Sequence, residues 1–204
     1  SQWQPNLFRN TTPIFPFEGN PGWNLETAMA DEAIQHVKQL KEIAPGKPWF
    51  VYYVPGATHA PHHPTEEWVK KISAMHLFDQ GWNKVRETIF ANQKRLGIMP
   101  QSAKLTPWPD TLPTWDSLDL EAKKLFIRQA DVYGAYLAYA DHEIGRVIQA
   151  VEDLGEAGIG QALSPDVDAG KAHPLEDGVE PRSPHQPRLE ALVGRGALPV
   201  QFGQ

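Results

Sequence analysis

The sequence predicts an α/β fold, and two neighbouring segments carry that prediction. Apolar residues recur at helical spacing through residues 24–44, which predicts an amphipathic helix that ends at Pro45 and Gly46. The run that follows, residues 49–54 (WFVYYV), is rich in aromatic and β-branched residues and is bounded by prolines, as expected for a strand buried on both faces. A helix followed by a buried strand is typical of an α/β sheet covered by helices.

Three more helices are predicted beyond this strand. Thr65 can cap a short helix that carries two glutamates in its first turn. An apolar stripe over residues 80–96 predicts a second helix. Ser117 or Asp119 can then start a long helix that continues to about Leu154. The predicted structure is therefore an incomplete sheet accompanied by long helices.

Aromatic residues divide the chain into two parts. All seven tryptophans and all five tyrosines lie in residues 1–155, which we expect to fold, with the proline-containing residues 1–22 as an extended entry segment. Residues 156–204 contain six prolines and seven glycines but a single aromatic residue, Phe202. That composition is typical of disorder, so we predict a disordered C-terminal tail over residues 156–204.

The composition also excludes several classes of function. Nineteen Lys and Arg against 25 Asp and Glu give a formal net charge of -6, so the chain lacks the basic surface that nucleic-acid or membrane-surface binding requires. No apolar run approaches the roughly 18 residues of a transmembrane helix. We therefore expect no nucleic-acid partner and no transmembrane segment. The absence of cysteine from the chain excludes disulfides, thiolate metal sites and a cysteine nucleophile.

Three histidines just beyond the predicted strand are the densest group of candidate functional residues. His59, His62 and His63 lie within residues 56–64, at the carboxyl end of the strand, where open α/β sheets place their binding sites. Two prolines among them predict a loop and exclude a regular helix. The spacing leaves two interpretations open: a surface loop held by local hydrogen bonds, or a metal-binding or catalytic site.

A charged triplet lies in the long predicted helix. Asp141, His142 and Glu143 are consecutive, and consecutive helical residues point about 100° apart, so they cannot converge on one ion. We interpret them as a partly solvated helix face.

Four sequence blocks occur here in an order found in one enzyme family. They are residues 21–33 (PGWNLETAMADEA), 47–63 (KPWFVYYVPGATHAPHH), 78–87 (FDQGWNKVRE) and 141–148 (DHEIGRVI). In these blocks the chain closely resembles formylglycine-dependent bacterial arylsulfatases, and the resemblance covers residues 1–155. It implies that residues 1–155 are the central portion of an alkaline-phosphatase-like α/β sandwich and that residues 156–204 are a non-homologous tail.

The resemblance also implies a chemistry, the hydrolysis of sulfuric esters such as aryl sulfates. Members of this family use a formylglycine aldehyde whose hydrate attacks the ester sulfur, and a divalent cation, usually Ca²⁺, that neutralises the sulfate oxygens. His59 matches the histidine that donates a hydrogen bond to the sulfate or its leaving oxygen. His62 and His63 match neighbouring residues of the substrate pocket. The resemblance further implies a soluble protein of a bacterial periplasm or cytoplasm.

The chain departs from the family at its metal ligands and its nucleophile. The motif Cys/Ser-x-Pro-x-Arg is absent, and the last asparagine is Asn92, so the Asp-Asn pair expected soon after Gly155 is missing. We therefore expect no calcium ligand and no formylglycine in this chain, which would be an incomplete and inactive fragment. Two alternatives remain: the missing part comes from another chain or from residues outside this sequence, or the chain is a non-catalytic anion- or metal-binding module that uses the His59 loop.

Overall fold

The computed structural model describes residues 1–155, so the predicted tail over residues 156–204 lies outside the described residues. Residues 1–155 form a mixed α/β structure with four helices, one short 3₁₀ turn and a two-stranded sheet. No helix in this part of the chain is long and apolar enough to cross a membrane. The elements in chain order are β1 (Leu7–Arg9), β2 (Thr12–Ile14), α1 (Leu25–Ile43), α2 (Glu66–Ser73), α3 (Gly81–Arg95), the 3₁₀ turn (Trp115–Ser117) and α4 (Leu120–Asp153).

Helix α4 is the centre of this structure, because both α1 and α2 pack against it. Small residues on its buried face allow close approach: an added Cβ at Gly134 would lie 3.2 Å from the ring of Phe78 and 3.5 Å from Ile72 of α2. Two tyrosines fill the remaining space, and Tyr139 stacks on Trp68 of α2 with ring centroids 6.0 Å apart. The main core therefore lies between α2 and α4.

The predicted helix boundaries are confirmed. Helix α1 begins after Asn24, whose side-chain oxygen accepts a hydrogen bond from the Glu26 amide at 3.0 Å. Helix α4 begins after Asp119, which caps the Ala122 amide in the same way at 2.8 Å. Thr65 does precede α2, but its side chain makes no cap bond, so that detail of the prediction was wrong.

The prediction of a buried strand over residues 49–54 was wrong. The segment belongs to no strand, and the sheet found within residues 1–155 is the hairpin of β1 and β2. Phe50 and Tyr52 are 85% and 83% exposed. A strand becomes buried only when partner strands pair with it and helices cover both faces, and residues 1–155 supply no such partners.

The entry segment contains more order than its prolines indicated. Leu7 pairs with Ile14 and Phe8 with Pro13 in an antiparallel hairpin, with Asn10 in the turn at a φ of 56°. Pro13 is tolerated because both strands of a two-stranded hairpin are edge strands, where a missing amide donor leaves no partner unpaired.

Candidate functional site

The three candidate histidines lie, as predicted, on a loop that leads from the 49–54 segment into α2. The loop packs over the middle of α4, where the hydroxyls of Thr58 and Tyr133 are 3.1 Å apart. The three rings do not converge. Within residues 1–155 no group of three His, Asp or Glu side chains is arranged to hold a metal ion. Each histidine therefore has its own environment.

His59 is exposed and held by its neighbours in the loop. Its amide donates to the Gly56 carbonyl at 3.1 Å, and its Nδ1 lies 2.6 Å from the Ala60 carbonyl oxygen. Because a carbonyl oxygen only accepts, this contact places the proton on Nδ1. In the neutral ring Nε2 is then an acceptor, and in the protonated ring Nε2 becomes a second donor.

His62 faces α4. Its ring meets that of Tyr133 edge-on, with centroids 5.1 Å apart, and lies 6.2 Å from that of Tyr136. His62 and Tyr133 line a cavity of about 650 Å³ together with Arg128 and Phe78. A histidine and an arginine in one cavity provide donors suited to an anion.

His63 has a structural environment. Its Nδ1 accepts a hydrogen bond from the Gln2 amide at 3.3 Å, and its carbonyl accepts one from the Asn24 side chain at 3.0 Å. Since the same Asn24 caps α1, these bonds fasten the end of the histidine loop to the start of that helix and to the N-terminal segment.

A buried carboxylate, Glu26, lies beneath the loop. It is fully buried, and its Oε1 accepts from the Ala57 amide at 2.9 Å and from the Tyr136 hydroxyl at 3.2 Å. Burial raises the pKa of Glu26 above its ordinary value, while the hydrogen bonds from Tyr136 and Ala57 lower it. Glu26 thus connects α1, α4 and the first residues of the histidine loop.

The sequence interpretation missed Glu26, although its spacing contained a signal. The buried residues of α1 are Glu26, Ala30, Ala33 and Val37, so the buried stripe continues back to position 26 at intervals of three and four residues. From sequence alone, a glutamate in the first turn of a helix is interpreted as a surface residue that stabilises the helix dipole. Its place on the buried stripe shows that it points into the protein.

A second buried carboxylate corrects the interpretation of the charged triplet. Glu143 is only 4% exposed, and it accepts from the Thr27 hydroxyl at 2.8 Å and from Arg146 at 2.5 Å. Arg146 also bonds Asp31 of α1 at 2.5 Å. His142 is exposed, in agreement with the prediction, but Glu143 belongs to a polar network between α1 and α4.

The buried carboxylates also affect Tyr53, which precedes the loop. Its hydroxyl is buried and has no hydrogen-bond partner among the described residues. Burial, followed by the charges of Glu26 and Glu143, raises the pKa of Tyr53 to about 12. Tyr53 is therefore even harder to ionise than an exposed tyrosine.

Comparison with known proteins identifies the family. The sequence model of the sulfatase family matches residues 3–158, more than half of the chain. The chain belongs to the sulfatase family. An uncharacterized sulfatase of Schizosaccharomyces pombe is 30% identical over 122 residues, which are 59% of this chain and 22% of that protein. An arylsulfatase of Klebsiella aerogenes is 27% identical over 116 residues, which are 57% of this chain and 24% of the enzyme.

Each match spans less than a quarter of the relative's length. Sulfatases are hydrolases of sulfuric esters and generally use Ca²⁺ and a formylglycine residue. The residues present do not fit either group. The sequence contains no Cys/Ser-x-Pro-x-Arg motif, and residues 1–155 hold no cluster of three metal ligands.

Proposed function

We propose that these residues form part of the substrate site of a sulfatase that hydrolyses aryl sulfate esters, with His59 as the donor to the sulfate group. The observation that carries this proposal is the environment of His59: an exposed ring whose Nδ1 is already engaged by Ala60, on a loop anchored to a buried carboxylate. The family match and the relative named as an arylsulfatase support the reaction class.

In this proposal His59 acts as a cationic hydrogen-bond donor. With Nδ1 donating to the Ala60 carbonyl, only the protonated ring can donate from Nε2 to a sulfate oxygen or to the leaving ester oxygen. An anionic ester also binds more strongly to a positively charged donor than to a neutral one. The bond strengthens as negative charge builds on the leaving oxygen during S–O cleavage, so His59 stabilises the transition state more than the bound ester.

The other two histidines have supporting roles in this proposal. His62 shares a cavity with Arg128, and the two side chains provide further donors to the anionic ester. His63 accepts the Gln2 amide and holds the loop by its carbonyl, so it positions the loop.

Ester binding by the chain itself tests the role of His59. Titration with 4-nitrophenyl sulfate should shift the imidazole ¹⁵N resonance of His59 Nε2, and His59→Gln should weaken binding. His36→Gln is the matched control, because His36 is an exposed histidine on α1. If His59→Gln and the natural chain bind the ester equally, His59 is not the donor.

We further propose that residues 1–155 are the central portion of a sulfatase catalytic domain and that this chain alone does not turn over aryl sulfates. The short coverage of both relatives and the lack of fit for calcium and formylglycine support this. Purified chain incubated with 4-nitrophenyl sulfate and Ca²⁺ should release no 4-nitrophenol above the no-protein rate. Release that disappears in His59→Ala would contradict it and show that the chain assembles a working site.

A further inference from the structure

A second cavity, between α3 and α4, adjoins the cavity that His62 lines, because Phe78 and Ala130 line both. Its volume is about 470 Å³, and none of residues 56–64 lines it. The walls are mainly aromatic and aliphatic side chains from α3, α4, the 3₁₀ turn and the chain near residue 105: Trp82, Ile89, Phe90, Leu105, Trp115 and Phe126. This size and lining are those of small-molecule pockets.

The aromatic wall of this cavity is a preformed surface for a flat ring. Trp82 lies at its centre, with ring centroids 5.3 Å from Trp115 and 5.1 Å from Phe126, both in edge-on contact. Behind it, the nearly parallel ring of Trp108 is 6.3 Å away. Edge-on and offset contacts of this kind are the geometries in which an added aromatic ring is also stabilised.

The polar groups of the cavity are mainly donors. Arg86 and Lys104 are the charged residues that line it, and both are cationic. Arg86 is held in place by Thr106 at 2.5 Å and lies over the Trp108 ring.

We propose that this cavity binds a small aromatic monoanion, with the ring against Trp82 and the anionic group between Arg86 and Lys104. Two observations support this occupant over a purely apolar one. No acidic side chain lines the cavity, so its charge is complementary to an anion alone. The two cations, Arg86 and Lys104, also favour a ligand with acceptor oxygens, which a hydrocarbon lacks. This site is additional to the proposed sulfate ester site at His59.

The test compares a charged probe with an uncharged one of the same shape. Isothermal titration calorimetry of the full chain should show 1-naphthoate binding, and 1-naphthalenemethanol should bind roughly tenfold more weakly, because it lacks the charge-assisted hydrogen bonds. Equal affinity for the two probes, or no binding of 1-naphthoate, overturns the proposal. Absence of 1-naphthoate binding also overturns the proposal if its cause is that another part of the chain fills the cavity.

Variants locate the binding. Arg86→Gln and Lys104→Gln should each weaken 1-naphthoate binding by roughly tenfold. Arg95→Gln is the matched control, because Arg95 is an exposed arginine on the same helix that does not line the cavity, and it should bind like the natural chain. Lys104 lies outside the helices. Its variant therefore still tests the site if Arg86→Gln disturbs the folding of α3. Unchanged binding in both cavity variants contradicts the assigned site.

Discussion

Individual residues beneath the histidine loop determine how that loop is held. The Ala57 amide and the Tyr136 hydroxyl both depend on one buried oxygen of Glu26, and the far end of the loop depends on the Asn24 side chain. Neither Glu26 nor Asn24 is exposed. The exposed histidines that would meet a ligand are therefore positioned by buried polar residues.

Replacing Glu26 should show this directly. Glu26→Ala leaves the Ala57 amide and the Tyr136 hydroxyl without an acceptor and should lower the free energy of unfolding by about 1–3 kcal/mol or more. Glu26→Gln keeps an acceptor oxygen and should be far less damaging. Urea unfolding at pH 7 measures both. A Glu26→Ala variant as stable as Glu26→Gln would show that these hydrogen bonds contribute little.

The free energy of unfolding of the natural chain and that of Glu26→Gln should also depend differently on pH. Because burial raises the pKa of Glu26, its contribution to stability is present in full below its ordinary value of 4.5 and is lost as the pH rises through the higher folded value. Glutamine does not titrate. The free energy of unfolding of Glu26→Gln should therefore rise relative to that of the natural chain between pH 4.5 and 7. A difference that stays constant over this range would contradict the raised pKa.

Among the elements, α4 depends on small residues where other parts of the chain cross it. Gly134 faces Phe78 and Ile72, whereas a Cβ added at Gly145 would meet nothing within 4 Å. Both glycines lie inside the same 34-residue helix. The two positions therefore differ in packing and share the same cost of glycine in a helix interior.

Alanine at these two glycines should separate packing from helix propensity. Gly145→Ala should raise the free energy of unfolding by about 0.5–1 kcal/mol, since alanine loses less backbone entropy. Gly134→Ala should raise the free energy of unfolding by less, or lower it, because the added Cβ would lie only 3.2 Å from the Phe78 ring. Thermal and urea unfolding of both variants measure the difference. Equal stabilisation would mean that Phe78 does not pack closely on α4.

At the scale of the whole molecule, residues 1–155 leave an apolar surface uncovered. In the 49–54 segment Phe50, Tyr52 and Val54 are exposed, while the side chains between them are partly buried. This alternation is that of one face of a strand. Exposed apolar segments with strand-forming residues are sites of association.

The isolated chain should therefore self-associate through this segment. Sedimentation velocity should show a mass that increases with protein concentration, and the double variant Phe50→Lys with Tyr52→Lys should reduce that increase. Ile43→Lys is the control, because Ile43 is 83% exposed but ends α1 outside the segment. Association that is unchanged in the double variant, or abolished by Ile43→Lys, would locate the contact elsewhere.

The sequence by itself determined the four helices, the loop character of residues 56–64 and membership of the sulfatase family. Helical periodicity, the helix start at Asp119 and the family blocks are local patterns, so they can be recognised without knowing which segments meet. Whether residues 49–54 form a buried strand could not be predicted from such local patterns. Strand pairing depends on partners distant in the chain, and the same residues are buried or exposed according to whether those partners are present.

Only the tertiary structure decided which polar residues are buried and where the three histidines face. Glu26 and Glu143 have the same side chain as the exposed Glu66, and packing of α1 against α4 is what buries the first two. His62 and His63 are adjacent in sequence, yet one faces α4 and the other the N-terminal segment. A loop has no fixed periodicity, so the directions of its side chains follow from contacts with distant elements.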